Sequence, residues 1–134
     1  MSKNVFTYGS LMFSEVWTRV VEGDYRSRCA RLDGHARFEV RDQTYPGMVA
    51  RQNSQVEGVL YLDVNDADLA RLDHFESDDY VRATLEVACD DGIVRASETY
   101  LYRSTDRLLK TVWQPDAFAM QAFLDTYCRE KLDR

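Results

Sequence analysis

Glu76 has the setting most suggestive of chemistry in this 134-residue chain. It follows Leu72 and Phe75 and precedes the turn Ser77-Asp78-Asp79, so its carboxyl group could point into an apolar cavity. Burial disfavours the charged form of a carboxyl and raises its pKa. A carboxyl tuned in this way can accept and return a proton near neutral pH. The plainer reading of the residues is an exposed glutamate at a turn, since most glutamates are exposed. The second candidate is the stretch Val5-Phe6-Thr7-Tyr8-Gly9-Ser10-Leu11-Met12. Its β-branched and aromatic residues predict a short strand, which Gly9-Ser10 stops. A strand that ends this way before a helix leaves N–H groups able to hold a carboxylate or a developing oxyanion. The plainer reading here is a buried first strand followed by a tight turn.

Other chemistries find little support. His35 and His74 are the only histidines, far apart and without ligand spacing, so no metal site is expected. Ser10 lacks the Gly-x-Ser-x-Gly elbow of a serine hydrolase. No phosphate loop or dinucleotide fingerprint is present. Asp63, Asp66 and Asp68 straddle a strand end and a helix start, where aspartates have structural uses.

The elements that must position these groups are mostly strands. Ser14 to Glu22 predicts a short helix, with Ser14 as N-cap, Gly23 as its stop and Val16, Trp17, Val20 and Val21 on the buried face. Arg26–Arg31 and Ala36–Arg41 predict two strands joined by an Asp33-Gly34 turn. Pro46 pushes Tyr45 into an extended conformation, and Tyr45 reads equally as a pocket rim or a surface loop residue. Met48-Val49 predicts a short strand, and Asn53-Ser54 a hairpin tip. Val56–Val64 is the clearest strand, with Gly58 marking a bulge or a close approach by a ligand. Asn65 caps a helix with Leu69 and Leu72 on one face, which ends near His74-Phe75 and leaves Glu76 just beyond it. Tyr80–Cys89 and Ile93–Tyr102 form a hairpin around Asp90-Asp91-Gly92. Residues 103–114 give no clear signal. Pro115 starts a last helix with Met120, Phe123, Leu124 and Tyr127 in one core stripe. Hairpin signals outnumber βαβ spacing, so the expected fold is α+β: a small, mostly antiparallel β-barrel with flanking short helices.

Composition bounds the answer. Residues 1–134 form one expected domain, with 45% hydrophobic residues and 8 Tyr, 6 Phe and 2 Trp for a core. A net charge of −6 argues against nucleic acid as partner, despite the small cluster Arg26, Arg28 and Arg31. No apolar run suits a membrane span, and the N-terminus leads straight into a strand without a signal-peptide pattern. The three cysteines, Cys29, Cys89 and Cys128, show no paired spacing and suit reduced thiols. A cytoplasmic location is expected. The oligomeric state is not written in the sequence.

Four stretches in order carry a resemblance. They are Tyr8-Gly9-Ser10-Leu11, Tyr45-Pro46-Gly47-Met48-Val49, Val56-Glu57-Gly58-Val59-Leu60-Tyr61, and Leu72-Asp73-His74-Phe75-Glu76 with Tyr80-Val81-Arg82. Together they resemble the gamma-glutamylcyclotransferase-like (AIG2-like) family over roughly Val5 to Tyr102. That resemblance implies a compact barrel with a cavity near the Tyr-Gly-Ser-Leu loop. It also implies a reaction in which the α-amine of a gamma-glutamyl amide attacks its own γ-carbonyl, releasing 5-oxoproline and an amine. Under it Glu76 becomes the proton shuttle, and the backbone of Tyr8, Gly9, Ser10 and Leu11 binds substrate with Tyr45, Tyr80 and Arg82 nearby. No metal or organic cofactor is required. Arg82 has two readings, a carboxylate ligand or a structural ion pair with Glu86, and the second is preferred. Ser77 departs from the family's frequent Gly after the glutamate. The partner is then a small gamma-glutamyl compound, with no nucleic acid and no membrane. The competing expectations are a non-catalytic ligand-binding or interaction domain on the same fold, and a Ser10 hydrolase that would release glutamate.

Overall fold

A computed structural model describes residues 2–115. The last helix expected from Pro115 onward, with its Met120, Phe123, Leu124 and Tyr127 stripe, lies outside the described residues, as does Cys128. The chain runs β1 (Lys3–Thr7), α1 (Ser14–Val20), β2 (Ser27–Val40), β3 (Pro46–Val64), α2 (Asp66–Glu76), β4 (Tyr80–Cys89), β5 (Val94–Tyr102) and β6 (Leu108–Val112). Short 3-10 turns at Ser10–Met12, Ser77–Asp79 and Thr105–Arg107 join them.

The strands close a five-stranded barrel in the order β3-β1-β5-β4-β2, with β2 pairing back onto β3 and β6 outside on β2. Among the described strands only the β1–β5 pair is parallel (Asn4↔Ser97, Val5↔Glu98). Closure rests on a short antiparallel bridge between β2 and β4 (Ala30↔Cys89, Arg31↔Ala88). The α+β barrel expected from the hairpin signals is therefore present. No helix among the described residues is long and apolar enough to cross a membrane.

Two expected turns are instead irregularities within long strands. Asp33-Gly34 does not reverse the chain: β2 runs through it and pairs with β3 on both sides, with a register shift between Asp33 and His35. Gly34 takes φ 78° there, so the Asp-Gly signal served a bulge. Asn53, at φ 63°, bends β3 without breaking it. The real β2–β3 connection is the segment 41–45, where Asp42 takes φ 62°. α1 also begins differently. Phe13 is its N-cap, Ser14 is the first helical residue and offers no cap, and the helix ends at Val20 with Val21 rather than Gly23 as its C-cap.

The apolar alternation of the strands fills two clusters. Phe6, Tyr8, Leu32, Met48, Val56, Leu60 and Val87 pack together in one. Val5, Trp17, Val20, Tyr61, Val64, Leu69, Leu72 and Phe75 bring both helices onto the barrel in the other. Trp17 stacks on Tyr61 with ring centroids 3.6 Å apart. Neighbouring residues of β1 thus serve different clusters, Val5 the helices and Phe6 the other, as the two-residue repeat of a strand requires. Gly58 sits where β1 crosses β3. A Cβ there would lie 2.1 Å from the Thr7 carbonyl oxygen, so the close approach is made by backbone rather than by a ligand.

Candidate active site

The site begins at the end of α2. Asn65 opens that helix by accepting a hydrogen bond from the Asp68 N–H, and Asp66 and Asp68 lie in its first turn, near the positive end of the helix dipole. Asp68 does more than cap. It is buried and accepts from the N–H groups of Glu22 and Gly23, from the Tyr25 hydroxyl and from Arg71. Burial works against its charge, but these four donors outweigh it and hold the carboxyl down at about 2. The start of α2 is thereby locked to the α1–β2 connection.

The other end carries Glu76, which is the last helical residue and not the first one beyond it. Ser77 follows at φ 62° and ψ −163°, with its N–H bonded to the Asp73 carbonyl. Leu72 and Phe75 on the same helix are fully buried and fix its rotation. Glu76 lines a narrow cleft of about 410 Å³, part of it open to solvent, with Thr7, Tyr8, Gly9, Ser10, Leu11, Tyr45, Pro46, Phe75, Tyr80 and Tyr100 around it. The residue keeps partial exposure, while its carboxyl has lost most of its water. That desolvation, with the negative charges of Asp79 and Asp73, pushes the carboxyl up to about 8.

Across the cleft, β1 ends at Thr7 and the chain turns at Gly9. A Cβ on Gly9 would meet the Pro46 ring at 2.8 Å, so the turn packs flush against the start of β3. The 3-10 turn that follows is closed by Met12 N–H to the Gly9 carbonyl and Phe13 N–H to the Ser10 carbonyl. The N–H groups of Ser10 and Leu11 open that turn and have no acceptor within it. Tyr8 contributes more than backbone: its buried hydroxyl donates to the Tyr100 carbonyl at 2.6 Å. Tyr45 is buried, not on the surface, and lies 6.4 Å from Tyr80 between ring centroids. Burial first, then the charge of Asp79, raises its hydroxyl to about 12. Tyr80 is tied down by its hydroxyl donating to the Pro46 carbonyl at 2.8 Å.

Of the residues expected here, Glu76, Tyr8, Gly9, Ser10, Leu11, Tyr45 and Tyr80 all line this one cleft, and Arg82 does not. Arg82 does not pair with Glu86 either. Its guanidinium reaches Asp73 at 3.2 Å and the buried Glu98 at 3.0 Å, because β4 faces β5 on one side and the last turns of α2 lie nearby. Sequence reasoning missed Tyr100, whose hydroxyl donates to Asp73 at 2.7 Å. The alternation of β5 carried that signal, but nothing in the sequence showed which face met the cleft. Among the described residues no group of three or more His, Cys, Asp or Glu side chains is placed to hold a metal ion.

Comparison with known proteins agrees with this geometry. The family described as gamma-glutamyl cyclotransferase, AIG2-like, matches residues 5–116. The Arabidopsis thaliana protein AIG2 C is 32% identical over 106 residues, covering 78% of this chain and 64% of its own length. AIG2-like protein D of the same plant is 28% identical over 99 residues, covering 74% of this chain and 65% of its own. The chain thus spans just under two thirds of the length of these curated relatives. An Arabidopsis thaliana solution structure superposes with a TM-score of 0.70 at 24% identity, covering 96% of this chain and 89% of that one. The structure of a gamma-glutamyl cyclotransferase superposes with a TM-score of 0.66 at 22% identity, covering 77% and 68%. At such identities the two structures speak for the fold, while the match over residues 5–116 speaks for descent. This chain belongs to the AIG2-like gamma-glutamyl cyclotransferase family.

Proposed function

We propose that the protein is a cofactor-free cyclotransferase that converts a gamma-glutamyl amide into 5-oxoproline and a free amine or amino acid. The observation that carries this reading is a carboxyl held near neutral pKa across a narrow cleft from an N–H-rich turn. The substrate carries its own nucleophile, so the protein must hold a folded conformer and carry protons from the attacking to the leaving nitrogen. The α-ammonium group enters beside Glu76, and its positive charge favours the ionised carboxylate. Glu76 takes a proton from the ammonium. The freed amine attacks the γ-carbonyl and closes a five-membered ring. The N–H groups of the Gly9–Leu11 turn stabilise the oxyanion or hold the substrate carboxylate. Glu76 returns the proton to the leaving nitrogen as the carbon–nitrogen bond breaks, and the ring nitrogen then gives up its second proton through Glu76 to the freed amine, leaving a neutral lactam and an ammonium ion. No water is consumed. Tyr45, Tyr80 and Tyr100 wall the cleft and limit competing water.

The experiment is product analysis by mass spectrometry over a panel of gamma-glutamyl amino acids and gamma-glutamylamines. The expected result is 5-oxoproline from the native protein, with at least a hundredfold loss in Glu76→Gln. Free glutamate would point to a hydrolytic nucleophile such as Ser10. A folded native protein that binds panel members without turnover would point to a ligand-binding domain.

A further inference from the structure

Arg37 reaches the backbone where β1 runs into the Gly9–Leu11 turn, yet it does not line the cleft. It projects from β2 on the opposite side of the turn, into a separate hollow bordered by Met12, Arg37, Glu57 and Gly58. There a single guanidinium nitrogen donates to two backbone carbonyls, Tyr8 at 2.6 Å and Glu57 at 2.9 Å. The guanidinium carbon sits 5.2 Å from the ring centroid of Trp113, just after β6. Trp113 is held in turn by its indole N–H donating to the Thr44 carbonyl at 2.8 Å and by its own N–H donating to the Arg37 carbonyl at 3.3 Å.

A peptide unit is planar and, here as throughout the described chain, trans. Its C=O and N–H therefore point in opposite directions. With the Tyr8 carbonyl fixed on Arg37 behind the turn, the N–H of the same peptide, which belongs to Gly9, must point the other way. Gly9 lines the cleft, the β1–β3 ladder has already ended at Thr7, and the Gly9 N–H donates to no backbone carbonyl among the described residues. A charged donor on the carbonyl also draws electrons through the amide and makes its N–H a stronger donor.

We infer that Arg37 is a positioning residue that aims and polarises the Tyr8–Gly9 peptide from behind, making the Gly9 N–H the principal anion donor of the cleft. The anion is the oxyanion of a γ-carbonyl under attack. For that chemistry the inference rests on the cyclotransferase reading. For its geometry it does not. Arg37 touches neither substrate nor Glu76, and it works through one peptide bond.

The test uses the full chain with three variants. Arg37→Met keeps the stem and removes every donor. Arg37→Gln keeps a neutral donor for the Tyr8 carbonyl. Arg37→Lys keeps the charge. The first readout is the Gly9 amide resonance in ¹H–¹⁵N spectra of the free protein. The expected result is an upfield shift in Arg37→Met, a smaller one in Arg37→Gln and little change in Arg37→Lys, with the resonances of β4 and β5 unmoved. The second readout is turnover of the best gamma-glutamyl amide from the panel. In Arg37→Met, kcat is expected to fall tenfold to a hundredfold with KM within threefold, and Arg37→Lys to recover most of it. A Gly9 resonance unmoved in a folded Arg37→Met overturns the inference whatever the turnover. So does a shifted resonance with native kcat. Should Arg37→Met fail to fold, Arg37→Gln decides by the same two readouts, and a native Gly9 resonance in it overturns the polarising role. A native protein that forms no 5-oxoproline contradicts the cyclotransferase reading instead, and the Gly9 resonance then decides the inference alone.

Discussion

Ser77 holds φ 62° and ψ −163°, a region that in practice only glycine occupies without penalty. The conformation is imposed by what flanks it. α2 must stop with Glu76 facing the cleft, and the chain must reach β4 within three residues. Strain of this kind costs about 1–3 kcal/mol, partly offset in any glycine replacement by a more flexible unfolded chain. Ser77→Gly is therefore expected to stabilise the protein by about 1 kcal/mol, read as a rise of about 4 °C in Tm. Glu76 stores a second tension. Its folded pKa of about 8 lies above the ordinary carboxyl value of 4.5. The native state thus binds that proton more tightly than the unfolded chain does. The resulting stability is complete below the unfolded pKa and is lost as pH rises from 4.5 through 8. Glu76→Gln should raise Tm at pH 8 and leave it nearly unchanged at pH 4, even as it removes turnover. That pair of opposite signs is what the proposed proton-shuttle role of Glu76 predicts.

At the scale of elements, α2 is the lever that connects structure to chemistry. Its first turn is anchored by Asp68 and its last residue is Glu76, so the anchor fixes the direction of the end that faces the cleft. Asp68 has the reverse linkage to Glu76. Its folded pKa of about 2 lies below the ordinary 3.8, so its contribution is complete above 3.8 and fades as pH falls towards 2. Asp68→Asn would leave donors from Gly23, Tyr25 or Arg71 without an acceptor and is expected to destabilise by about 2–3 kcal/mol at pH 7. Chemical denaturation at pH 7 and again at pH 2.5 checks this: the gap between variant and native protein should shrink at the lower pH. The helix itself was plain in the sequence because Asn65, the two aspartates and the Leu69–Leu72 spacing all agree. Glu76's role could be named only through the family resemblance, since a glutamate before Ser-Asp-Asp looks solvated, and its place as the last helical residue was not legible at all. β6 was not legible. Leu108–Val112 is exposed for most of its length and pairs with β2 through irregular register, so it carries neither clean alternation nor a buried run.

For the whole molecule, barrel closure was the property hardest to read. The hairpin β4–β5 announces itself through Asp91-Gly92, with Gly92 at φ 83°. The bridge from β2 to β4 and the parallel contact of β1 with β5 involve few residues and large sequence separations, and no local pattern encodes them. The same is true of the bulge in β2, where Asp33-Gly34 carries the residue types of a reversing turn and only pairing to β3 on both sides tells them apart. Closure depends on close crossings such as Gly58, where the Thr7 carbonyl occupies the space of a side chain. Gly58→Ala must push β1 from β3 and is expected to destabilise by about 2–3 kcal/mol, seen as a lower urea midpoint at unchanged m. Because Thr7 leads directly into the Gly9–Leu11 turn that lines the cleft, that variant should also lose the proposed turnover while Glu76 remains in place. The most direct measurement on the whole protein is the pH dependence of kcat/KM for its best gamma-glutamyl amide. With a desolvated Glu76 carboxyl as the base, kcat/KM should rise about tenfold per pH unit below an apparent pKa near 8. A profile flat from pH 5.5 to 7.5 would place the working group at an ordinary carboxyl pKa or outside the carboxyls altogether, and would contradict the account.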